Sequence, residues 1–340
     1  MMRLVVRRLL QLPLILLVIY TVTLALAWGV PGNPLERGER RPPPEVEAAM
    51  RARYNLDSFW GFYFTYLDNA SGLAWARGKV AGGGGKAAGG ETLAAKEGVE
   101  VVAPKGRPVF DLGPSLQYED WRVNEVLWST LPVSVTIGGA AMVIALLVGV
   151  ASGVVGAVKP NSGLDLATLL VALVGISLPS FVTGTLLQTV FSVWLGWLPV
   201  AEWGTVRALI LPSVTLSLPF AAYIARLTRI GMIEALRSDY VRTARAKGLS
   251  ERDVVLKHAL KNAFLPVLSY LGPATAMAMT GSFVVERVFS VPGLGQHFVN
   301  AVLNKDLFMI IGVVLVFSTM LVLFNLAVDV LYRWVDPRIE

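Results

Sequence analysis

The sequence contains no cysteine, which excludes disulfide bonds, thiol nucleophiles and cysteine-ligated metal sites. Its two histidines, His258 and His297, lie far apart without metal-ligand spacing, so we expect no metal site. The motifs HExxH, GxSxG and GxxxxGK[ST] are also absent. Because a phosphate-cradling loop is missing, we expect this chain to bind no ATP and to hold no cofactor of its own. We also expect no catalytic site, since the long apolar stretches lack charged catalytic groups.

Charged residues are missing from six long stretches, and this scarcity indicates the class of protein. Hydrophobic residues make up 54% of the chain and the mean hydropathy is +0.60, above the range of a soluble globular domain. The charge-free stretches are 9–35, 126–158, 166–201, 208–225, 264–285 and 307–328. Each is long enough for a helix that crosses a bilayer, which needs about 17–25 mostly apolar residues. We therefore predict an all-α integral membrane protein with six transmembrane helices.

The formal charge of +6 and the pI near 9.6 also suit nucleic-acid binding. We reject that function because the basic residues cluster beside the apolar stretches and not along one soluble face. Short segments on one side hold most of the Lys and Arg, which predicts that both chain ends lie in the cytoplasm. Arg3, Arg7 and Arg8 precede the first stretch as in a signal peptide, but its apolar part of about 22 residues favours an uncleaved span.

The predicted spans divide the chain into three regions. Residues 1–30 form the cytoplasmic N-terminus and the first transmembrane helix, and 31–125 form a long extracytoplasmic loop region. Residues 126–340 form a core with the other five transmembrane helices. Within the loop region, about 76–109 is rich in glycine and is interpreted as a flexible insert of no assigned function, with a short strand at 99–102.

Two features of the core concern packing and membrane anchoring. Small residues recur every four positions in the second span and build a ridge that lets a neighbouring helix approach closely. They are Ala141, Ala145, Gly149, Gly153 and Ala157. The third span is expected to run to about Val193, with Trp194, Trp197 and Trp203 as headgroup anchors of an interfacial segment after it.

The longest polar segment of the C-terminal half, about 231–262, lies between the fourth and fifth spans. Ser238 is expected to cap a first short helix whose first turn carries Asp239, where a negative charge meets the positive helix end. Gly248 suits the position after the end of that helix. Ser250 is expected to cap a second helix, with a carboxylate three residues later.

The same segment is basic, with nine Lys or Arg residues between Arg226 and Lys261. One interpretation is that these charges only orient the protein in the membrane. Charge alone does not require two capped helices separated by a glycine, so we favour a docking function for the segment.

The segment resembles the EAA signature of ABC importer permeases. The resemblance rests on Glu234-Ala235, on Gly248 fourteen residues after Glu234, and on Leu265-Pro266. Residues 239–250, DYVRTARAKGLS, are similar to the dipeptide and oligopeptide branch of that family, and so is Pro292-Gly293-Leu294-Gly295. The resemblance covers nearly the whole chain apart from the glycine-rich insert.

The resemblance implies a type I ABC importer permease fold and a function. The chain would be the B-type permease subunit of an ATP-driven importer of di- or oligopeptides in the inner membrane of a prokaryote. Its partners would be a second, similar permease, two cytoplasmic ATPase subunits that bind ATP and magnesium, and an extracytoplasmic peptide-binding protein. The resemblance also implies the residues that couple to the ATPase. They are Glu234, Ala235, Asp239, Tyr240, Val241, Arg242, Thr243, Ala244, Arg245, Ala246, Lys247, Gly248 and Leu249.

Three alternatives stay open. Related permeases carry nickel or oligosaccharides, and the sequence does not reveal which residues bind substrate. A self-contained secondary carrier or channel is disfavoured, because such proteins usually place ionisable residues inside their spans and the six stretches hold none. A membrane scaffold without transport activity is the third.

Overall fold

A computed structural model of the chain describes residues 2–30, 44–80, 108–117 and 121–335. Over these residues the regular structure is helical, with one isolated bridge between Pro114 and Arg122. The helices in chain order are α1 (Met2–Gly29), α2 (Pro44–Tyr54), α3 (Phe59–Ala70), α4 (Leu73–Val80), α5 (Val123–Val158), α6 (Gly163–Ser177), α7 (Ser180–Trp194), α8 (Val206–Leu236), α9 (Asp239–Ala246), α10 (Glu251–Ala263), α11 (Leu265–Met279), α12 (Phe283–Val288), α13 (Leu294–Leu303) and α14 (Leu307–Val335). The all-α class predicted from the sequence is confirmed for the described residues.

Four of the described helices are long and apolar enough to cross a membrane. They are α5, α8, Val5–Gly29 of α1 and Leu307–Leu331 of α14. Two bent pairs also qualify when their parts are taken together, namely α6 with α7 and α10 with Leu265–Val288. Counting each pair as one span gives six, so the described residues contain four to six candidate spans.

The third predicted span, expected to end at about Val193, corresponds to a bent helix pair that ends at Trp194, and the bend itself was not predicted. α6 ends at Ser177, α7 begins at Ser180, and the two are bent by 107°. The cause is Pro179, whose ring disfavours helical geometry in the preceding residue. Leu178 is accordingly extended, with φ −83° and ψ 128°.

The three tryptophans that follow α7 differ in their surroundings. Trp194 and Trp197 are 74% and 64% exposed, as membrane-interface anchors would be. Trp203 is half-buried and packs against the hydrophobic core built by α5 and α8. Two of the predicted anchors are therefore exposed, and the third takes part in packing.

The described chain divides into two compact units. The first takes in 130–296, together with α1 up to Pro13 and α14 from Phe317 onward. The second takes in the rest of α1, the helices α2 to α4, the start of α5 and residues 297–316. The polar segment 231–262 belongs to the first unit.

Within the first unit, the ridge of small residues on α5 packs against α8, as predicted. A Cβ atom at Gly149 would lie 2.7 Å from the carbonyl oxygen of Ala221, and one at Gly153 would lie 2.6 Å from that of Ala225. Real side chains do not approach a backbone so closely, so both positions need glycine for this helix crossing. The three alanines of the ridge are buried as well.

The second unit has an aromatic core. The ring of Tyr20 on α1 stacks on Tyr66 of α3 with 5.5 Å between centroids, and its hydroxyl donates to the carbonyl oxygen of Tyr63 at 2.8 Å. Phe62 and Tyr66 both contact Phe308 at the start of α14. Offset and edge-to-face ring pairs of this kind stabilise a core beyond the area that they bury.

Helices α2, α3 and α4 lie in the region that the sequence pattern indicated only as a loop. α4 continues to Val80 and so covers the beginning of the insert expected at 76–109. The expected strand at 99–102 and the glycine run at 82–85 lie outside the described residues.

Candidate functional site

The first helix of the polar segment is α9, and its start follows from the local backbone. Ser238 is extended, with φ −72° and ψ 156°, and its carbonyl oxygen accepts the first helical hydrogen bond from the Arg242 amide at 3.2 Å. Asp239 occupies the first turn, where its charge meets the positive end of the helix dipole. Arg245 lies in the last turn, where a cation is favourable.

The Ser238 side chain does not cap α9, so this prediction was wrong. Its hydroxyl donates to the carbonyl oxygen of Ala235 at 2.6 Å and makes no bond to an amide of α9. The last carbonyl groups of a helix have no partner within the helix. Ser238 therefore satisfies the end of α8 instead of the start of α9, and it stabilises the turn between the two helices.

Helix α9 ends in a Schellman motif around Gly248. The Gly248 amide donates to the carbonyl oxygen of Arg245 at 2.9 Å, and the Leu249 amide donates to that of Ala244 at 3.3 Å. Gly248 has φ +78°, a conformation that costs a residue with a side chain about 1–2 kcal/mol. Nothing lies within 4 Å of the place where its Cβ would be, so the need for glycine is conformational and not steric. The predicted position of Gly248 just after the end of α9 is confirmed.

Ser250 caps α10 as predicted. Its hydroxyl oxygen accepts from the Asp253 amide at 3.2 Å, and the hydroxyl itself donates to the Asp253 carboxylate at 2.7 Å. The sequence pattern did not predict the next feature, a π-helical turn at Val254–Ala259. After α10 ends at Ala263, the chain bends by 55° into Leu265–Val288.

One face of α9 anchors the helix to the first unit. Val241 and Ala244 lie three residues apart on this face and are 0% and 5% exposed. They pack with Met232 of α8 and Val254 of α10 in one hydrophobic cluster. The cluster is completed by Ala157, Ala235, Ala259 and Ala263. The cluster therefore joins α9 to α5, α8 and α10.

The other face of α9 is open. Its exposed residues, together with those that follow the helix, are Asp239, Tyr240, Arg242, Thr243, Arg245, Ala246, Lys247, Gly248 and Leu249. The side chains of Arg242 and Asp239 are 73% and 95% exposed, and their 3.4 Å contact is a weak surface pair. Tyr240 and Leu249 add apolar area, each being 41% exposed. Aromatic and arginine side chains on one open face are typical of a protein-docking surface.

Arg245 is held in place by Glu251, a residue that no sequence pattern singled out. The Nε and Nη2 atoms of Arg245 donate to the two carboxylate oxygens of Glu251 at 2.9 and 3.2 Å, which joins the end of α9 to the start of α10. The carboxylate beside Arg245 raises the pKa of that guanidinium. Both side chains are exposed, so the pair orients Arg245 more than it stabilises the fold.

The thirteen predicted coupling residues differ in burial. Ala235, Val241 and Ala244 are buried in the cluster and anchor the segment. Glu234, which lies on the last turn of α8, is exposed. The other nine form the open face just described.

A second polar arrangement in the first unit surrounds Glu286 of α12, to which the sequence pattern assigned no role. This side chain is 1% exposed. Its carboxylate accepts from the Ser134 hydroxyl at 2.7 Å and from the backbone N–H of Gln296 at 3.1 Å. The Ser134 oxygen accepts in turn from the Leu294 amide at 2.8 Å. A Cβ atom at Gly293 would overlap the carboxylate, so a larger residue there would displace the Glu286 side chain from this arrangement.

Hydrogen bonds to Glu286 thus tie the loop before α13 to α5 and α12. No simple sequence pattern signals this, because Ser134 and Glu286 are distant along the chain. Within the described ranges, no group of three His, Asp or Glu side chains is arranged to hold a metal ion.

Comparison with known proteins places the chain among transport proteins. The family model for the binding-protein-dependent transport system inner membrane component matches residues 127–340, which include all thirteen predicted coupling residues. The chain is 39% identical to the oligopeptide transport system permease protein OppB of Escherichia coli (strain K12), over 100% of both proteins. It is 36% identical to the dipeptide transport system permease protein DppB of Bacillus subtilis (strain 168), over 100% of this chain and 98% of that protein.

A solved structure described as an amino acid ABC transporter with histidines is also similar. The TM-score is 0.48 and the identity 17%, over 62% of this chain and 94% of the other.

Proposed function

The chain belongs to the family of binding-protein-dependent transport system inner membrane components, and we propose that it is the permease subunit of an ATP-driven importer of di- or oligopeptides. The substrate class is supported by relatives named for oligopeptide and dipeptide transport, which are 39% and 36% identical over their full or nearly full lengths. In this proposal the chain supplies half of the pathway through the inner membrane, and a second, similar permease supplies the other half.

The observation that carries the coupling part of the proposal is the two-sided character of α9. One face is fixed by Val241 and Ala244 in the cluster with Met232 and Val254. The opposite face is exposed and carries arginine, lysine and tyrosine. A helix built in this way receives a partner on one side and passes its movement to the spans on the other.

Peptide movement is driven by subunits outside this chain. Two cytoplasmic ATPase subunits bind ATP and magnesium, and one of them docks on α9. When ATP binding draws the ATPase pair together, the docked helix moves with its neighbours. The spans have two discrete arrangements, and the ATPase shifts the equilibrium between them. An extracytoplasmic binding protein delivers the peptide on the opposite side.

The membrane arrangement follows from the same proposal. Each bent helix pair counts as one span, which gives six spans with both chain ends in the cytoplasm. Residues 1–30 then form the N-terminus and first span, 31–125 the outer region, and 126–340 the core. Segment 231–262 faces the cytoplasm, where the ATPase subunits are.

The proposal is tested by gentle extraction of the tagged chain and mass spectrometry of what accompanies it. We expect a second permease and ATPase subunits, and peptide uptake after reconstitution only when ATP and the binding protein are supplied. Ligand eluted from the binding protein distinguishes peptides from nickel or oligosaccharides. A chain that migrates alone and transports without ATP would make it a secondary carrier and contradict the proposal.

A further inference from the structure

A groove of about 230 Å³ lies open on the first unit between α5, α6 and α8. Its walls are largely apolar and include Leu169, Leu173 and Ile176 on α6, and Ala222 and Ala225 on α8. Leu173 and Ile176 are 59% and 50% exposed. Exposed aliphatic walls on helices that cross a membrane suit a hydrocarbon chain.

Two arginines line one end of the groove, and they differ in their surroundings. Arg229 is already engaged, because its Nε and Nη2 atoms donate to the two oxygens of the buried Asp165 at 2.6 and 2.7 Å. Arg226 is exposed, and among the described residues no carboxylate or hydrogen-bond acceptor engages its guanidinium. The groove therefore has one cation at its end that is available to an anion.

The direction of the groove relative to the membrane follows from the helices that form it. Arg226 is the first charged residue after the apolar stretch 208–225, so it lies at the membrane boundary next to segment 231–262. Ala222 lies about 6 Å deeper along α8, and Ile176 lies about 10 Å deeper than Leu169 along α6. The cation thus stands at the boundary, and the apolar walls continue toward the membrane centre.

We propose that this groove binds one acyl chain of an anionic phospholipid, whose phosphate pairs with Arg226. Guanidinium groups bind phosphate oxygens through parallel hydrogen bonds, and basic pockets between membrane helices on the cytoplasmic side suit anionic headgroups. A choline headgroup carries its own cation, which competes with Arg226. The site therefore prefers phosphatidylglycerol to phosphatidylcholine.

A helix of another subunit is the competing occupant. It would have to supply a carboxylate for Arg226, because a guanidinium buried without a partner is strongly unfavourable. A lipid supplies the anion and the apolar chain in one molecule. The lipid site does not depend on the docking function proposed for α9.

The test is native mass spectrometry of the full-length protein, purified with its accompanying subunits and titrated with phosphatidylglycerol or phosphatidylcholine. We expect the wild type to retain phosphatidylglycerol preferentially. Arg226→Ala should weaken phosphatidylglycerol binding about fivefold, since one basic contact near the surface is worth about 1 kcal/mol. Arg226→Lys keeps the charge and should retain most of the preference.

Two further variants distinguish a lipid in the groove from a helix of another subunit. Arg207→Ala removes an exposed arginine at the opposite end of the same helix and should leave binding unchanged. Ala172→Phe fills the groove and should reduce binding of both lipids while Arg226 stays in place. Equal retention of the two lipids by the wild type, or unchanged retention in Arg226→Ala, would overturn the proposal. Loss of the second permease in Ala172→Phe, with lipid retention unchanged, would show that protein covers the groove and would likewise overturn it.

Discussion

Arg245 and Glu251 are joined by two hydrogen bonds, at 2.9 and 3.2 Å, across the left-handed turn at Gly248. The contact holds a guanidinium on the open face of α9 in one direction. An exposed ion pair contributes little to folding stability. In the proposed docking function, the pair would preorganise a cationic side chain for the ATPase subunit.

The first prediction concerns the charge on this face. Arg245→Glu and Arg242→Glu should each reduce ATP-driven peptide uptake to background, because each puts an anion in place of a cation and cancels the net positive charge of the open face. Uptake of labelled peptide by cells or proteoliposomes measures this, with membrane abundance checked by immunoblot. The double variant Arg245→Glu with Glu251→Arg restores the ion pair but leaves a negative charge at position 245 of α9, so it should remain inactive. Full recovery in the double variant would show that the pair itself, and not Arg245, is what matters.

The second prediction concerns the turn at Gly248. Gly248→Asp should abolish uptake while the protein stays in the membrane, because φ +78° strains a residue with a Cβ and shifts the end of α9. Gly248→Asn should retain part of the uptake, since asparagine tolerates the left-handed region much as aspartate does but adds no negative charge to the cationic face. Gly163→Ala is the matched control, because the Cβ there would also meet nothing within 4 Å but the backbone has no positive φ. An equal loss of uptake from substitutions at Gly248 and Gly163 would exclude the backbone conformation of Gly248 as the cause of that loss.

The third prediction tests the contact between α5 and α8. Gly153→Ala would place a methyl group 2.6 Å from the Ala225 carbonyl oxygen and should cost about 1–3 kcal/mol by overpacking. Gly139→Ala, also on α5, meets only the flexible end of Met279 at 3.4 Å and should be nearly neutral. The melting temperatures of the two variants in the same detergent give the comparison. If Gly139→Ala proves the more damaging, the packing described for this crossing is wrong.

The fourth prediction concerns the buried carboxylate of Glu286. Glu286→Ala removes the acceptor for the Ser134 hydroxyl and the Gln296 amide, and each buried donor left unpaired costs about 1–3 kcal/mol. We expect a clearly lower melting temperature in detergent. Glu286→Gln keeps the size and one acceptor oxygen and should fall between the wild type and the alanine variant. Glu202→Gln changes an exposed carboxylate and should leave the melting temperature unchanged. A Glu286→Ala protein as stable as the wild type would contradict the role of this contact.

Features governed by neighbouring residues were predictable from the sequence. Gly248 and Ser250 act on backbone groups within a few residues, so their roles at the helix ends follow from residue type. The Ser238 prediction failed because its hydroxyl can bond either to the end of α8 or to the start of α9, and it binds the carbonyl oxygen of Ala235. The break at Pro179 was within reach of sequence reasoning, but the length of the apolar stretch concealed it.

Features that depend on distant partners were not predictable. Glu286 is the first polar residue after a predicted span, and only the fold brings Ser134 to it. The helices α2 to α4 lack the long apolar stretches that identify spans, and much of α3 is stabilised by aromatic contacts with α1 and α14. Likewise, the division of α9 into a buried and an open face requires the positions of Met232 and Val254.

The central claim is that the open face of α9 contacts an ATPase subunit, and cysteine crosslinking tests it most directly. The chain has no cysteine of its own, so one introduced thiol reports one position. Thr243→Cys lies on the open face, whereas Ala244→Cys lies next to it on the buried face. With a short thiol-reactive photocrosslinker, we predict a permease–ATPase product from Thr243→Cys and none from Ala244→Cys. Absence of that product from Thr243→Cys, in a complex that still contains the ATPase, would contradict the claim.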